Sequence, residues 1–136
     1  KIDIFSFRTG FISQLIGCCK DRCASIIKNL NLDVFQQKIL FVPYKSGEHK
    51  SLFVVIGLKN LLKHNGKVGI GNQPGIYHFE SCPCHEYFHK EHICDVASRI
   101  CDLMNTLWRN ECGGELDKIM NPFSARLLPL WQPRSE

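Results

Sequence analysis

An α+β fold, a small central β-sheet flanked by two long helices, is predicted by three stretches of this sequence. The first is KILFVPYKSGEHKSLFVVIGL, residues 38–58. Its two apolar runs, 39–42 and 52–58, are rich in β-branched and aromatic residues, and a Pro, a Gly and three charged side chains stand between them. That order reads as strand, turn, strand. The second run is apolar at nearly every position, as in a strand buried on both faces, so it is expected at the centre of its sheet. The other two stretches carry helical periodicity. Ile12, Leu15, Ile16, Cys19, Cys23, Ile26, Ile27 and Leu30 recur at steps of three and four, and so do Ile93, Val96, Ala97, Ile100, Leu103, Met104, Leu107 and Trp108.

Taken in order, residues 2–7 alternate loosely and predict a short strand or extended lead-in. A helix follows from Phe11 to Leu30, with Cys19 and Cys23 on its apolar stripe as small buried hydrophobes. Asn31 and Asp33 end or recap that helix before the strand that opens at Lys38. After Leu58, the segment KNLLKHNGKVGIGNQPG crowds four Gly, three Asn and a Pro between apolar runs and predicts a long loop. Its GKVGIG piece lacks the spacing of a phosphate-binding loop. Residues 76–79 return as a strand that ends at Glu80. The second periodic helix stops at Gly113 and Gly114. Asn121 and Pro122 open another connection, and residues 127–131 offer a final short strand. No internal repeat or low-complexity segment is present.

A chain of 136 residues, 44% hydrophobic, fits a single domain over residues 1–136 with a substantial core. The net charge is +4, but the 17 Lys and Arg are scattered, so no nucleic-acid partner is expected. No apolar run approaches the length of a membrane span, and no membrane partner is expected. Lys1 has the character of a cut point, which predicts a piece of a longer protein. Eight cysteines could build a disulfide scaffold, yet Cys18 and Cys19 are adjacent in a helical pattern and no Asn-x-Ser/Thr acceptor occurs. Reduced thiols and a nuclear or cytoplasmic location are therefore expected.

Two constellations could carry chemistry. His49 begins the second strand of the hairpin and Glu80 ends the next strand. If those strands pair antiparallel, the two residues share one edge of the sheet. A carboxylate there can bond one imidazole nitrogen and fix its tautomer, leaving the other nitrogen to take a proton from a nucleophile. The second constellation is Cys82, Cys84, His85, His89, His92 and Cys94, six soft or imidazole donors within thirteen residues, enough for a tetrahedral zinc site. Cys-x-Cys with Pro between is not the usual Cys-x2-Cys knuckle, and a polar helix start after an exposed loop accounts for the same residues.

The series IDIFSFRTGFISQL, LDVFQQKILFVPYKSGEHKSLFVVIGL, then PGIYHFES and a long helix resembles the ubiquitin-like-protein protease family, the cysteine proteases that process and remove SUMO, NEDD8 and related modifiers. The resemblance covers nearly the whole chain. It implies a papain-like fold and hydrolysis after a modifier's C-terminal Gly-Gly, with no cofactor or metal, a SUMO-type modifier and its conjugates as partners, and a monomer. His49 would be the general base and Glu80, followed by Ser81, the acid that orients it. Gln132, in LPLWQPRSE, resembles the Gln that stabilises the oxyanion. Counting the family's Gln-x5-Cys-Gly forward from Gln132 puts the nucleophile two positions past Glu136, so these residues are expected to hold scaffold, base and acid, and to be inactive by themselves.

The sequence departs from the family pattern at Lys50, where Trp is usual, and at Glu80, where Asp is usual. The Trp- and Leu-rich segment usual before the first strand is also absent. These departures motivate the alternative of an inactive relative that binds a modifier. Glu111-Cys112-Gly113 imitates the nucleophile motif, but Thr106 stands where Gln belongs, and Cys112 is expected to end a helix as a structural thiol.

Overall fold

The computed structural model describes residues 3–17, 20–46, 49–63, 74–80, 90–112 and 124–125. The hairpin of the sequence is its centre. Strand β2 (Ile39–Ser46) and strand β3 (His49–Ile56) pair antiparallel from Ile39 opposite Ile56 to Ser46 opposite His49. Of the residues read as a turn, Pro43 to Ser46 and His49 to Ser51 belong to the strands, and residues 47–48 lie outside the described residues. Strand β1 (Ile4–Ser6) lies parallel to β2, and strand β4 (Gly75–Glu80) lies antiparallel to β3. Strand β5 (Ser124–Ala125) is parallel to β4, completing a five-stranded sheet in the order β1-β2-β3-β4-β5.

Parallel neighbours need a crossover. Helices α1 (Phe11–Gly17) and α2 (Lys20–Asn29) and a 3-10 turn (Val34–Gln36) supply the one between β1 and β2. The last crossover includes α4 (Lys90–Cys112). Strand β3 is central, as expected, but its burial alternates. Ser51, Phe53 and Val55 are buried while Leu52, Val54 and Ile56 are half-buried. The same face continues through Leu40, Val42 and Tyr44 on β2 and Ile76 and His78 on β4, all buried. Helices α1 and α4 pack on the sheet, and α2 packs on α4. Every apolar residue of the periodicity read in α4, from Ile93 to Trp108, is buried.

Helical backbone stands on both sides of residues 18–19, which lie outside the described residues. Helix α1 covers Phe11–Gly17 and helix α2 covers Lys20–Asn29. Ile12, Leu15, Cys23 and Ile27 are buried as the stripe requires, whereas Ile16 and Leu30 are exposed, Leu30 by 55%. The end of α2 explains Leu30. Asn31 adopts φ 53°, its N–H donates to the Lys28 carbonyl, and the Leu32 N–H donates to the Ile27 carbonyl. These two bonds form a Schellman motif with Asn at the left-handed position. The chain reverses there, so Leu32 packs against the core in place of Leu30. Asp33 then caps the 3-10 turn by accepting from the Phe35 N–H at 3.1 Å, and Phe35 meets Trp108 of α4 edge to face at 5.2 Å.

Part of the segment read as loop after Leu58 is a helix, α3 (Leu58–Lys63). Gly57 has φ 86°, a conformation that glycine alone adopts without strain, and it turns the chain out of β3. Leu58 and Leu61 are then buried together, and Lys59 pairs with Asp3 at 2.7 Å. The rest of that loop, residues 64–73, and the strand read at 127–131 lie outside the described residues. Strand β5 stands earlier in the chain than that expected strand. No helix among the described residues is long and apolar enough to cross a membrane.

Leu103 of α4 is fully buried. Leu103→Ala should lower unfolding free energy by about 2–5 kcal/mol in urea titration, whereas Leu30→Ala, at the exposed helix end, should change it by less than about 0.5 kcal/mol.

Candidate active site

The β3–β4 ladder puts Ser51 directly opposite Glu80. His49 is two residues before Ser51, so the period-two alternation places positions 49, 51 and 80 on one sheet face at one end of the sheet. This is the buried face on which Phe53 and Val55 lie. Positions 49 and 80 are diagonal neighbours, roughly 7–8 Å apart by sheet geometry. An imidazole and a glutamate arm can span that gap from its two sides. The antiparallel pairing on which the His49–Glu80 juxtaposition depended is therefore present. Gln132 lies outside the described residues.

The same edge carries a cross-element contact that periodicity could not reveal. Tyr44 faces Ser51 across the β2–β3 ladder, and its hydroxyl lies 2.7 Å from the Nε2 of His92 in the first turn of α4. The start of the long helix is thereby tied to the strands that hold positions 49 and 80. Tyr44 follows Leu40 and Val42 at alternating steps, which puts it on the core face, but its partner 48 residues away leaves no local signal.

One register step inward from Ser51 and Glu80, Phe53 faces His78, and their rings lie 4.7 Å apart. His78 is only 8% exposed, and burial pulls its imidazole down to about 4. A neutral ring at working pH cannot act as a cation beside Glu80. On the other face of the hairpin, exposed Lys45 and Lys50 stand opposite each other. The position where a Trp was expected thus holds one of two neighbouring cations.

Two of the candidate zinc donors are described, and they do not converge. His92 and Cys94 are separated by two residues on α4, which puts them on different sides of the helix. The His92 Nε2 is engaged by Tyr44. Cys82, Cys84, His85 and His89 lie outside the described residues. Cys112 is the last residue of α4, where a helix-ending thiol was expected.

The thiols among the described residues also differ in environment. Cys23 is fully buried, Cys94 is exposed, and the Cys101 thiol is pushed up to about 12 by burial and then by the neighbouring Asp102 carboxylate. None of the three stands at the 49–80 edge. A groove of about 590 Å3 between α2 and the end of α4 is lined by Asp21, Asp33, Lys28 and Glu111. It is remote from that edge, since His92 and Glu111 are nineteen residues apart along one helix, or roughly 28 Å.

This architecture is of the papain-like cysteine-protease type. A solved structure described as the crystal structure of the de-sumoylating protease shares the fold with a TM-score of 0.69 at 18% sequence identity. The match covers 99% of this chain and 46% of that one, so the chain spans less than half of its structural neighbour. No family model and no curated protein matches the sequence.

Two outcomes follow from the burial of these side chains. The folded pKa of His78 is depressed below that of the unfolded chain, so the unfolded state binds more protons as pH falls. The stability that a neutral His78 permits is complete above about pH 6.5 and declines toward pH 4. Wild type should lose roughly 2–3 kcal/mol more than His78→Leu between pH 7 and pH 4, read from urea midpoints. Under native alkylation followed by mass spectrometry, Cys94 should label first, with Cys23 and Cys101 protected until the protein unfolds.

Proposed function

We propose that the protein is a cysteine-type peptidase that cleaves after the C-terminal Gly-Gly of a SUMO-type modifier. The observation that supports this most is the strand register: it brings positions 49 and 80 to one face at one end of a papain-like sheet. In this reading His49 is the general base and Glu80 the carboxylate that orients it. On the same reading the nucleophile is a cysteine thiol, expected from the family's Gln-x5-Cys-Gly spacing two positions past Glu136. His49 takes the thiol proton as sulfur attacks the scissile carbonyl, then delivers it to the leaving amine, and water hydrolyses the resulting thioester. Gln132 and backbone amides stabilise the oxyanion.

The direction of β5 supports the part given to Gln132. Because β5 runs parallel to β4, the chain passes Ala125 heading toward the Glu80 end of the sheet. Ala125 is level with Ile76, four residues short of Glu80, or about 13 Å. The seven residues from Ala125 to Gln132 can span up to about 25 Å. A residue seven positions after Ala125 can reach that edge, and Gln132 itself lies outside the described residues. The reading implies a SUMO-type modifier as partner and a reducing compartment, nucleus or cytoplasm, as the site of action.

The full-length protein should react covalently with an electrophilic probe built on a SUMO-type modifier ending in Gly-Gly. His49→Ala should slow that reaction by at least about 100-fold with the circular-dichroism spectrum unchanged. Undiminished labelling of the variant would remove His49 from the role of base. Tight binding of the modifier by wild type without labelling would instead establish a modifier-binding protein, the reading that Lys50 motivates.

A further inference from the structure

The end of the sheet away from position 49 carries a second groove. It lies between the 3-10 turn and α3, which pack against each other, and its volume is about 660 Å3. That is within the range of ligand pockets, roughly 300–1,000 Å3. Among the described residues, Gln36 and Asn60 bring amide donors to its lining and Lys38 and Lys59 bring ammonium groups, while Gly57 and Leu62 complete it. None of these lining residues is acidic.

Asp3, which stands outside the lining, holds this wall together. Its carboxylate takes the Lys59 Nζ at 2.7 Å, and its carbonyl accepts the Lys38 N–H at 2.6 Å and the Ile39 N–H at 3.3 Å. One residue thus fixes both lysine-bearing segments before any ligand arrives, which lowers the ordering cost of binding. An ammonium has three donors, so Lys59 keeps two beyond its bond to Asp3. Lys38 is exposed and makes no ion pair among the described residues.

Two cations with no acid in the same lining leave the groove electropositive, and an anion seated there gains from both. Leu62, 38% exposed, gives the wall an apolar part, and Gly57 contributes no side chain to fill the space. A ligand that matches this wall carries a carboxylate or phosphate beside an apolar group. The lysines are point charges, and the lining holds no arginine fork for bidentate recognition of phosphate, which favours a carboxylate. We propose that this groove docks an acidic peptide segment of a partner protein, with a Glu or Asp side chain at Lys38 and Lys59 and a neighbouring apolar side chain on Leu62. Strand β3 runs seven residue steps from His49 to Ile56, about 23 Å, so a segment docked past its far end leaves the 49–80 edge open. The docking site goes beyond the peptidase reading and does not depend on it.

The test is a 15N NMR titration of the full-length protein with the end-blocked peptide Gly-Leu-Glu-Leu-Glu-Gly, read at the backbone amides of residues 36–38 and 57–62. Saturable shifts at those amides are expected, and the same peptide with Gln in place of both Glu residues should cause none. Lys38→Gln should weaken binding about 3- to 10-fold and Leu62→Asn about 3-fold, whereas Lys45→Gln, at the other end of β2, should leave it unchanged. Raising NaCl from about 20 to about 200 mM should weaken binding by wild type. Lys38 is exposed and its backbone bond to Asp3 survives replacement, so the glutamine variant keeps the fold, and unshifted core amides check this. Equal affinity in wild type and Lys38→Gln, or equal binding of the Gln peptide, would overturn the proposal. So would inorganic phosphate saturating the same amides where the peptide gives no shift, since that outcome marks a small-anion site. The titration involves neither thiol nor base, so failure to react with the modifier probe overturns the peptidase reading alone.

Discussion

The register of β3 against β4 governs both the core and the candidate site. Ser51 opposite Glu80 implies Phe53 opposite His78 and Val55 opposite Ile76, and Ser51, Phe53, Val55, Ile76 and His78 are buried on one face of the sheet. A slip by one residue would turn Phe53 and Val55 outward and bring the half-buried Leu52 and Val54 onto the helices. The site therefore inherits its alignment from apolar packing several residues away. Nothing at positions 49 and 80 has to enforce their proximity, because Phe53, Val55 and Ile76 already do so.

Helix α4 makes that alignment rigid. Its stripe from Ile93 to Trp108 is buried, Trp108 is locked edge to face on Phe35, and its first turn is bonded to Tyr44. The helix thus joins the 3-10 turn at one end of the domain to the 49–80 edge at the other. Catalytic geometry tolerates little displacement, and loops hold groups less precisely than strands and helices do. Position 49 is the first residue of a central strand and position 80 the last residue of its neighbour, so both stand on regular strands and not on a loop.

The features legible in the sequence were those whose cause is periodic. The apolar stripe of α4 followed from spacings of three to four, and the hairpin and the central place of β3 from two apolar runs, the second nearly unbroken. The features that were not legible depend on single backbone conformations or on distant partners. Leu30 has the right spacing for a core residue, but the left-handed Asn31 reverses the chain and gives the core Leu32 instead. Helix α3 is six residues long, and Leu58, Leu61 and Leu62 fit a loop flank or a strand end as readily as a helix. Only the positive φ of Gly57 separates it from β3. The starts and ends of β3 and β4 and their antiparallel sense were legible because they depend on apolar runs and turn residues. Tyr44 and His92 were not, because nothing local links residues 48 positions apart.

The distribution of buried polar groups bears on where the chemistry resides. Among the described residues the buried polar side chains are Ser51, His78 and Thr106. Thr106 satisfies itself within α4 by donating to the Asp102 carbonyl at 2.9 Å, a common local arrangement in helices. The other two lie on β3 and β4, one opposite Glu80 and the other two residues before it. An apolar residue in place of Ser51 would suit the packing of Phe53 and Val55 and would remove a desolvation cost. Cores that carry such costs generally do so at functional sites. Ser51 and His78 both lie near the position-80 end of β4, on a sheet face otherwise closed by Leu, Val, Ile, Phe and Tyr.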